Sequence, residues 1–562
     1  MSKNDTNQLI KRPLLIAAAL LISAVGVAFA QPGKQEANPQ VAAQIEAAEA
    51  ALGKKDFSAA TKAYESAIEL DPFNYEAHSG LSQVPMREHF SRLVVNDEMI
   101  TDEKVIKELS AAFKSNQEKM VAKYTQLEAK YPDKAVFKLI LASLNAYEPL
   151  LVRNYLDQAY RLEPNDLHVL NALAGFEVAR GDTRKAVQYF KKISELLPDD
   201  ENAAFQSAYF LSDTDPKLYR EKSRAFINRF PNSERASMAL YWLAENSEDE
   251  SERIGYLEEL KRNYPHEKFG WSSSGMGTLF GIYVMKSPDK ALALAKEMVS
   301  TASKPAEKKE WQANLDFQTG INQAAALISE KKPKEALDIL EKVKTPRFLR
   351  AVNPLDILKA KALDGTGQTA AGYQQLIDGA AARPNMKLLA EMKVLGKKLG
   401  KDKKQIDADL EAKVVAQSQP VKDFALERFD SDRKVSLADY RGKVVLLNFW
   451  YPMCGPCHQE APFLQKLLIK YGKDNLVILS PNVHPKEDSL VVPYFQSTNY
   501  DFIPLKVPAI EQWAEKEYGA RGYPTNLLID KQGRKVVNLG VIYQARLEEV
   551  QLFIEMALLQ KP

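Results

Sequence analysis

The sequence predicts a multidomain chain, an all-α helical repeat solenoid followed by a smaller α/β domain, and three observations carry that expectation. A proline-centred phrase recurs at near-constant intervals through the middle of the chain. Near residue 412 helical periodicity gives way to short β-branched apolar runs alternating with helical stretches. Finally, the only two cysteines, Cys454 and Cys457, stand two residues apart at a strand-to-helix junction in the last quarter.

Length and composition bound what these parts can do. At 562 residues the chain is too long for one small domain, and 45% hydrophobic with 27% charged residues allows packed cores. Lys and Arg number 76 against 74 Asp and Glu, a net charge of +2, which argues against a nucleic-acid partner held by global charge. Two cysteines exclude a disulfide scaffold and a Cys-rich zinc domain. With only His458 and His484 in the same domain to join them, no metal site and no cofactor are expected.

The first thirty residues read as an export signal. Lys3, Lys11 and Arg12 form a basic start, Leu14 to Val27 is an uncharged apolar run, and Ala28-Phe29-Ala30 supplies a small-x-small cleavage pattern. No cysteine follows to carry a lipid. An uncleaved anchor is the alternative, for which the run is slightly short of the ~20 residues of a spanning helix. The expected location is extracytoplasmic, periplasmic in a cell with two membranes.

Residues 38–412 are expected to form the helical array. Tyr131-Pro132, Glu163-Pro164, Leu197-Pro198, Phe230-Pro231 and Tyr264-Pro265 each follow a helical stretch, at intervals of 32, 34, 33 and 34 residues. Proline ends the second helix of each unit because it cannot continue one. Between Pro164 and Pro198, Gly181-Asp182 separates two helices, and Ala186, Val187, Phe190, Ile193 and Leu197 share one face. The clearest unit is an earlier one, with Asp56-Phe57, Ala60, Tyr64, Ala67 and Pro72. These residues resemble the turn, small, aromatic, small and proline positions of the tetratricopeptide (TPR) repeat. The resemblance is good over 53–75 and 165–200 and degenerate elsewhere. Residues 287–300, 332–343 and 367–380 read as further second helices, and 84–118 as an insertion. Such arrays imply a groove for an unidentified peptide or protein. The basic run Lys393 to Lys404 reads as a solvated helix face, and the Gly/Ser stretch after Trp271 as a conceivable loop.

Residues 413–420 read as a linker and 421–562 as the α/β domain. Lys443 to Trp450 is a buried strand leading into Cys454-Gly455-Pro456-Cys457 and an amphipathic helix. Leu476 to Ser480, Phe502 to Val507, Tyr523 to Asp530 and Val536 to Leu539 are further strands, with helices over Pro485 to Thr498 and Ala545 to Leu559. A helix N-terminus stabilises a thiolate, so Cys454 is placed to attack and Cys457, one turn on, to resolve. Pro456 fits the first turn, where its missing N–H costs nothing.

This domain resembles the thioredoxin superfamily, and within it the exported TlpA/ResA-type branch. The residues that carry the resemblance are Asn448-Phe449-Trp450, Cys454-Gly455-Pro456-Cys457, Glu460, Pro462 and Pro524-Thr525, with lead-in segments at Val421 and Leu437. It implies a thioredoxin-like fold and thiol–disulfide exchange, with Pro524 as the cis-proline facing the disulfide. Asn448 stands where thioredoxin carries a buried acid and cannot take a proton, so Glu460 becomes the candidate proton-transfer group; a solvated helix carboxylate is the bland alternative. Met453 and Tyr523 depart from the usual residues at the substrate groove. The Gly-Pro pair resembles reducing members, which implies reduction, with oxidation as the alternative direction, a protein disulfide or dithiol client and a membrane thiol protein as electron donor.

Three other functions compete. Cys454-Gly455-Pro456-Cys457-His458 also spells the c-type haem attachment signature, but haem attachment needs neither the preceding strand nor Pro524. A peroxidatic site lacks the upstream threonine. A TPR scaffold whose redox domain only senses or docks is the third.

Overall fold

The computed structural model describes residues 38–95, 98–100, 102–146, 148–212, 214–346, 349, 354–508 and 512–560. The expected export signal lies outside them. By internal contacts the chain forms two compact units. One takes the chain up to Thr214 together with His484–Thr498, and the other takes Asp215–Val483 and Asn499 onward.

From Pro39 to Gln417 the described residues are almost wholly helical. Each recurring proline follows a helix by two residues: the helices end at Lys130, Leu162, Leu196, Arg229 and Asn263. The residue between leaves helical geometry, as Tyr131 does at φ −130° and ψ 66°, because the proline ring disfavours the α region before it. At the other ends, Asp56, Asp166, Asp182, Asp200, Asp215 and Asp249 accept the N–H three residues on, satisfying a donor the helix leaves unpaired.

In the helices Phe57–Leu70 and Thr183–Leu196 the buried face carries the residues the sequence places there. Ala60, Tyr64 and Ala67 are all buried, as are Ala186, Phe190 and Ile193. Residues 84–118, expected as an insertion, hold the end of a helix that runs through Pro85 to Leu93, a two-residue hairpin, and the start of the 28-residue helix Glu103–Lys130.

Two expectations, one in the array and one at its end, need correction. The Gly/Ser stretch after Trp271 is the first half of a helix, Gly270–Lys286, and not a loop. Its small residues serve close approach: a Cβ on Gly275 would lie 2.4 Å from Leu260 Cδ2, so a larger residue there would require the Leu260 side chain to shift. The expected linker 413–420 is helical to Gln417 and then enters the sheet. A capping box between Asp402 and Gln405 starts that helix, and Ile406, Leu410 and Val414 bury one stripe of it. It packs on the C-terminal helix, so this stretch is part of a packed body. The basic run at 393–404 lies on helix ends and a turn, with Lys398, Lys401 and Lys403 paired to Asp364, Asp409 and Asp407.

The α/β domain is built on an eight-stranded mixed sheet. Its strands are β1 (Gln419–Pro420), β2 (Leu426–Arg428), β3 (Lys434–Val435), β4 (Val444–Phe449), β5 (Leu476–Asn482), β6 (Ile503–Lys506), β7 (Thr525–Ile529) and β8 (Arg534–Asn538). Their spatial order is β1-β8-β7-β4-β5-β6-β2-β3. The central strands β4, β5 and β7 are buried along their whole length, which is why they read as continuous apolar runs. β4 runs parallel to β5 and antiparallel to β7. The helices along this stretch of the chain are α1 (Gly455–Tyr471), α2 (Asp488–Thr498), α3 (Trp513–Tyr518) and α4 (Leu547–Leu559), of which α2 groups with the other compact unit. One face of the sheet, with Val445, Leu447 and Phe449, packs on Phe424, Trp513 and Ala514.

Candidate functional site

Strand β4 ends at Phe449, and five residues later Cys454 stands as the N-cap of α1. The intervening turn is held to the sheet by Trp450, whose indole N–H donates to the Ser480 carbonyl at 3.1 Å. Cys454 and Cys457 are joined in a disulfide with their Cα atoms 5.2 Å apart. The Cys457 N–H points at the Cys454 sulfur, 3.2 Å away. Cys454 Sγ therefore sits in the partial positive charge of the helix start, as the spacing predicts. Both cysteines are covered, at 2% and 5% exposure. Pro462 lies inside α1.

Pro524 follows a cis peptide bond from Tyr523. The register places it beside the motif: Thr525 pairs with Phe449, so the next step along both strands sets Pro524 against Trp450. Tyr523 reaches the same turn, its ring packing edge-on against Tyr451 at 5.9 Å. His458, which completes the haem-like signature, turns its Nε2 to the Pro452 carbonyl at 2.6 Å.

Glu460 is not a solvated helix carboxylate. It lies one turn beyond Cys457 on α1 and is only 1% exposed. Three donors meet it there. Asn448 Nδ2 at 3.1 Å and Asn526 Nδ2 at 2.7 Å donate to Oε1, and the Ile542 N–H donates to Oε2 at 2.6 Å. Burial pushes its carboxyl up to about 7, while those donors and the Arg546 charge pull in the opposite direction. A carboxyl poised there can take or give a proton near neutrality.

The sheet explains how these polar groups converge. Asn448 pairs across strands with Asn526, and extending the parallel register from Leu447 and Leu479 brings Ser480 to its other side. Ser480 donates to Asn448 Oδ1 at 3.4 Å, and Asn448 Nδ2 donates to Asn526 Oδ1 at 2.9 Å. A polar row thus crosses three buried strands directly beneath Glu460. Of the expected site residues, Cys454, Cys457, Glu460 and Pro524 all fall at this end of the sheet. Sequence reasoning missed Asn526, Ser480 and the Ile542 N–H. The signal that could have found the first was an asparagine inside each of two otherwise apolar strands.

Among the described residues no group of three or more His, Cys, Asp or Glu side chains could hold a metal ion. No described helix is long and apolar enough to cross a membrane.

Comparison with known proteins places the domain among thiol-exchange proteins. Residues 418–554 match the AhpC/TSA family. The thioredoxin-like protein YneN of Bacillus subtilis is 31% identical over 137 residues, covering 24% of this chain and 78% of that protein. The thiol-disulfide oxidoreductase ResA of Bacillus thuringiensis subsp. konkukian is 36% identical over 121 residues, 21% of this chain and 66% of the relative. Among solved structures, a DsbF homologue from Corynebacterium diphtheriae aligns at 26% identity over 24% of this chain and 86% of that one, with a TM-score of 0.22.

Proposed function

The chain belongs, through its C-terminal domain, to the thioredoxin-like proteins of the AhpC/TSA family, and on that premise we propose that it is an exported thiol–disulfide oxidoreductase working as a reductase. The observation that carries this reading is the Cys454–Cys457 pair at a helix start with the buried Glu460 carboxyl one turn behind it.

In the reduced enzyme the Cys454 thiolate attacks one sulfur of a client disulfide. A Cys454–client bond forms, the client S–S bond breaks, and the second client sulfur leaves as thiolate and takes a proton. Cys457 gives its proton to Glu460 and attacks Cys454 Sγ. This forms the Cys454–Cys457 disulfide and frees the first client sulfur, so the client gains two electrons and the enzyme loses two. The oxidised pair is then reduced again by a dithiol protein, which we place at the membrane. Pro524 and Tyr523 border the client's approach. The TPR-like array binds or positions the client or another protein, in keeping with the large surfaces such solenoids offer.

The experiment is reduction of a disulfide peptide by the full chain supplied with a dithiol. Wild type turns over and Cys454→Ser does not. Equal rates for the two would instead make the domain a docking module on a scaffold.

A further inference from the structure

We infer that Asn526 is the positioning residue of the thiol-exchange site, holding Glu460 Oε1 and the loop that feeds Oε2 with one side-chain amide. The inference rests on the proposed role of Glu460 as proton acceptor and deepens it.

The two N–H bonds of Asn526 Nδ2 go to different places. One meets Glu460 Oε1 at 2.7 Å and the other the Gly540 carbonyl at 2.8 Å. Its backbone carbonyl accepts the Leu539 N–H at 2.8 Å. Residues 539 and 540 are therefore tied to β7 at Asn526, and two residues on the same loop presents the Ile542 N–H to Glu460 Oε2. Gly540 allows that tight path at φ 59°, in the left-handed region.

The amide cannot turn round without loss. Its Oδ1 accepts from Asn448 Nδ2, and Asn448 Oδ1 accepts from Ser480. Flipping Asn526 would set its oxygen against Glu460 Oε1 and the Gly540 carbonyl, acceptor facing acceptor. The row across the sheet thus fixes which atoms face the carboxylate, and they are all donors. With two bonds on Oε1 and one on Oε2, the lone pair left for an incoming proton is on Oε2. Asn448 lacks the second function: it donates to Oε1 at 3.1 Å but makes no bond to the loop among the described residues.

The charged and titratable groups around Glu460 are few. Cys457 and Cys454 stand one and two turns back on its own helix, and Arg546 follows the loop and favours the carboxylate. The facing strands contribute neutral Asn448, Asn526 and Ser480.

Asn526→Val tests this in the full chain, because valine suits a buried strand and donates nothing. The Glu460 titration is followed by the infrared carbonyl stretch of its protonated form, assigned by its loss in Glu460→Gln. Retained near-ultraviolet circular dichroism confirms folding, and Asn526→Leu is the second variant. The titration midpoint is expected to rise by about 1–2 on the pH scale, the worth of one or two charge-assisted hydrogen bonds, and by less in Asn448→Val. The pH profile of exchange should move with it. A midpoint higher by about 1 cuts the ionised fraction, and with it the rate near pH 7, by roughly fivefold. An unmoved midpoint, or equal displacements in Asn526→Val and Asn448→Val, overturns the inference. A midpoint that rises while the exchange profile stays put upholds the positioning by Asn526 and removes Glu460 from the proton transfer.

Discussion

Asn448 Nδ2 donates to Glu460 Oε1 at 3.1 Å, so the strand before the motif supports a buried carboxyl on the helix after it. The strand position where thioredoxin carries its buried acid here holds a donor, and the acid stands on the facing helix twelve residues later. A buried carboxylate is kept near the motif, but its support now comes from the sheet.

Glu460→Gln should slow exchange roughly 10–100-fold near neutrality while leaving the fold intact, at the low end of general acid–base effects. The wild-type rate should climb with pH through about 7, where the carboxyl ionises, and the variant should lack that rise. Stopped-flow reduction of a peptide disulfide across pH 5–9 measures both. Superimposable profiles would leave Glu460 without a catalytic part.

The same group makes stability depend on pH. Its folded value of about 7 lies above the ordinary 4.5 of a glutamate, so between those limits the folded state keeps a proton the unfolded chain has lost. That contribution is complete below about 4.5 and disappears as pH rises through 7, on the order of 3 kcal/mol in all. Denaturant unfolding of oxidised wild type and Glu460→Gln at pH 5 and pH 8 should show a drop confined to the wild type. Equal drops in both would place the pH dependence elsewhere.

Gly80→Ala tests the packing of the first repeat. Helix propensity alone would stabilise the change by about 1 kcal/mol. A Cβ there, however, would lie 2.3 Å from the buried Tyr64 ring, and relieving such overlap costs about 1–3 kcal/mol. We expect the first unfolding transition to move to lower denaturant. A move to higher denaturant would show that the Tyr64 ring has room to shift.

Much of this was legible because it is local. The helix ends before each proline follow from the ring's effect on one neighbouring residue, and Cys454 and Cys457 sit at a strand–helix junction written in consecutive residues. The burial of Glu460 was not legible, because its cover arrives from Asn526 and Ile542, 66 and 82 residues further along the chain. Helix Gly270–Lys286 was hidden by its own composition, since glycines and serines weaken a helix in isolation and packing on a neighbour compensates. The helix ending at Gln417 was legible in its capping box and apolar spacing, and reading 413–420 as a linker overlooked both.

Haem attachment has a direct test. Both sulfurs are already joined to each other, and the His458 ring is held at the Pro452 carbonyl. Produced in a host with haem-attachment machinery, the protein should carry no Soret absorption that survives denaturation. Such absorption would reassign the motif.

The reducing direction is read by equilibrium with glutathione. With Gly455-Pro456 between the cysteines, the couple should lie near the ~−270 mV of thioredoxin. A value near the ~−120 mV of the strong oxidant DsbA would make the enzyme an oxidase.

The central claim, that Cys454 attacks and Cys457 resolves, is tested most directly by trapping the intermediate between those steps. Full-length Cys457→Ser, reduced and mixed with a disulfide peptide, should accumulate a covalent adduct that mass spectrometry maps to Cys454. Failure to form any adduct on Cys454, with the variant folded and its thiol free, would contradict the account.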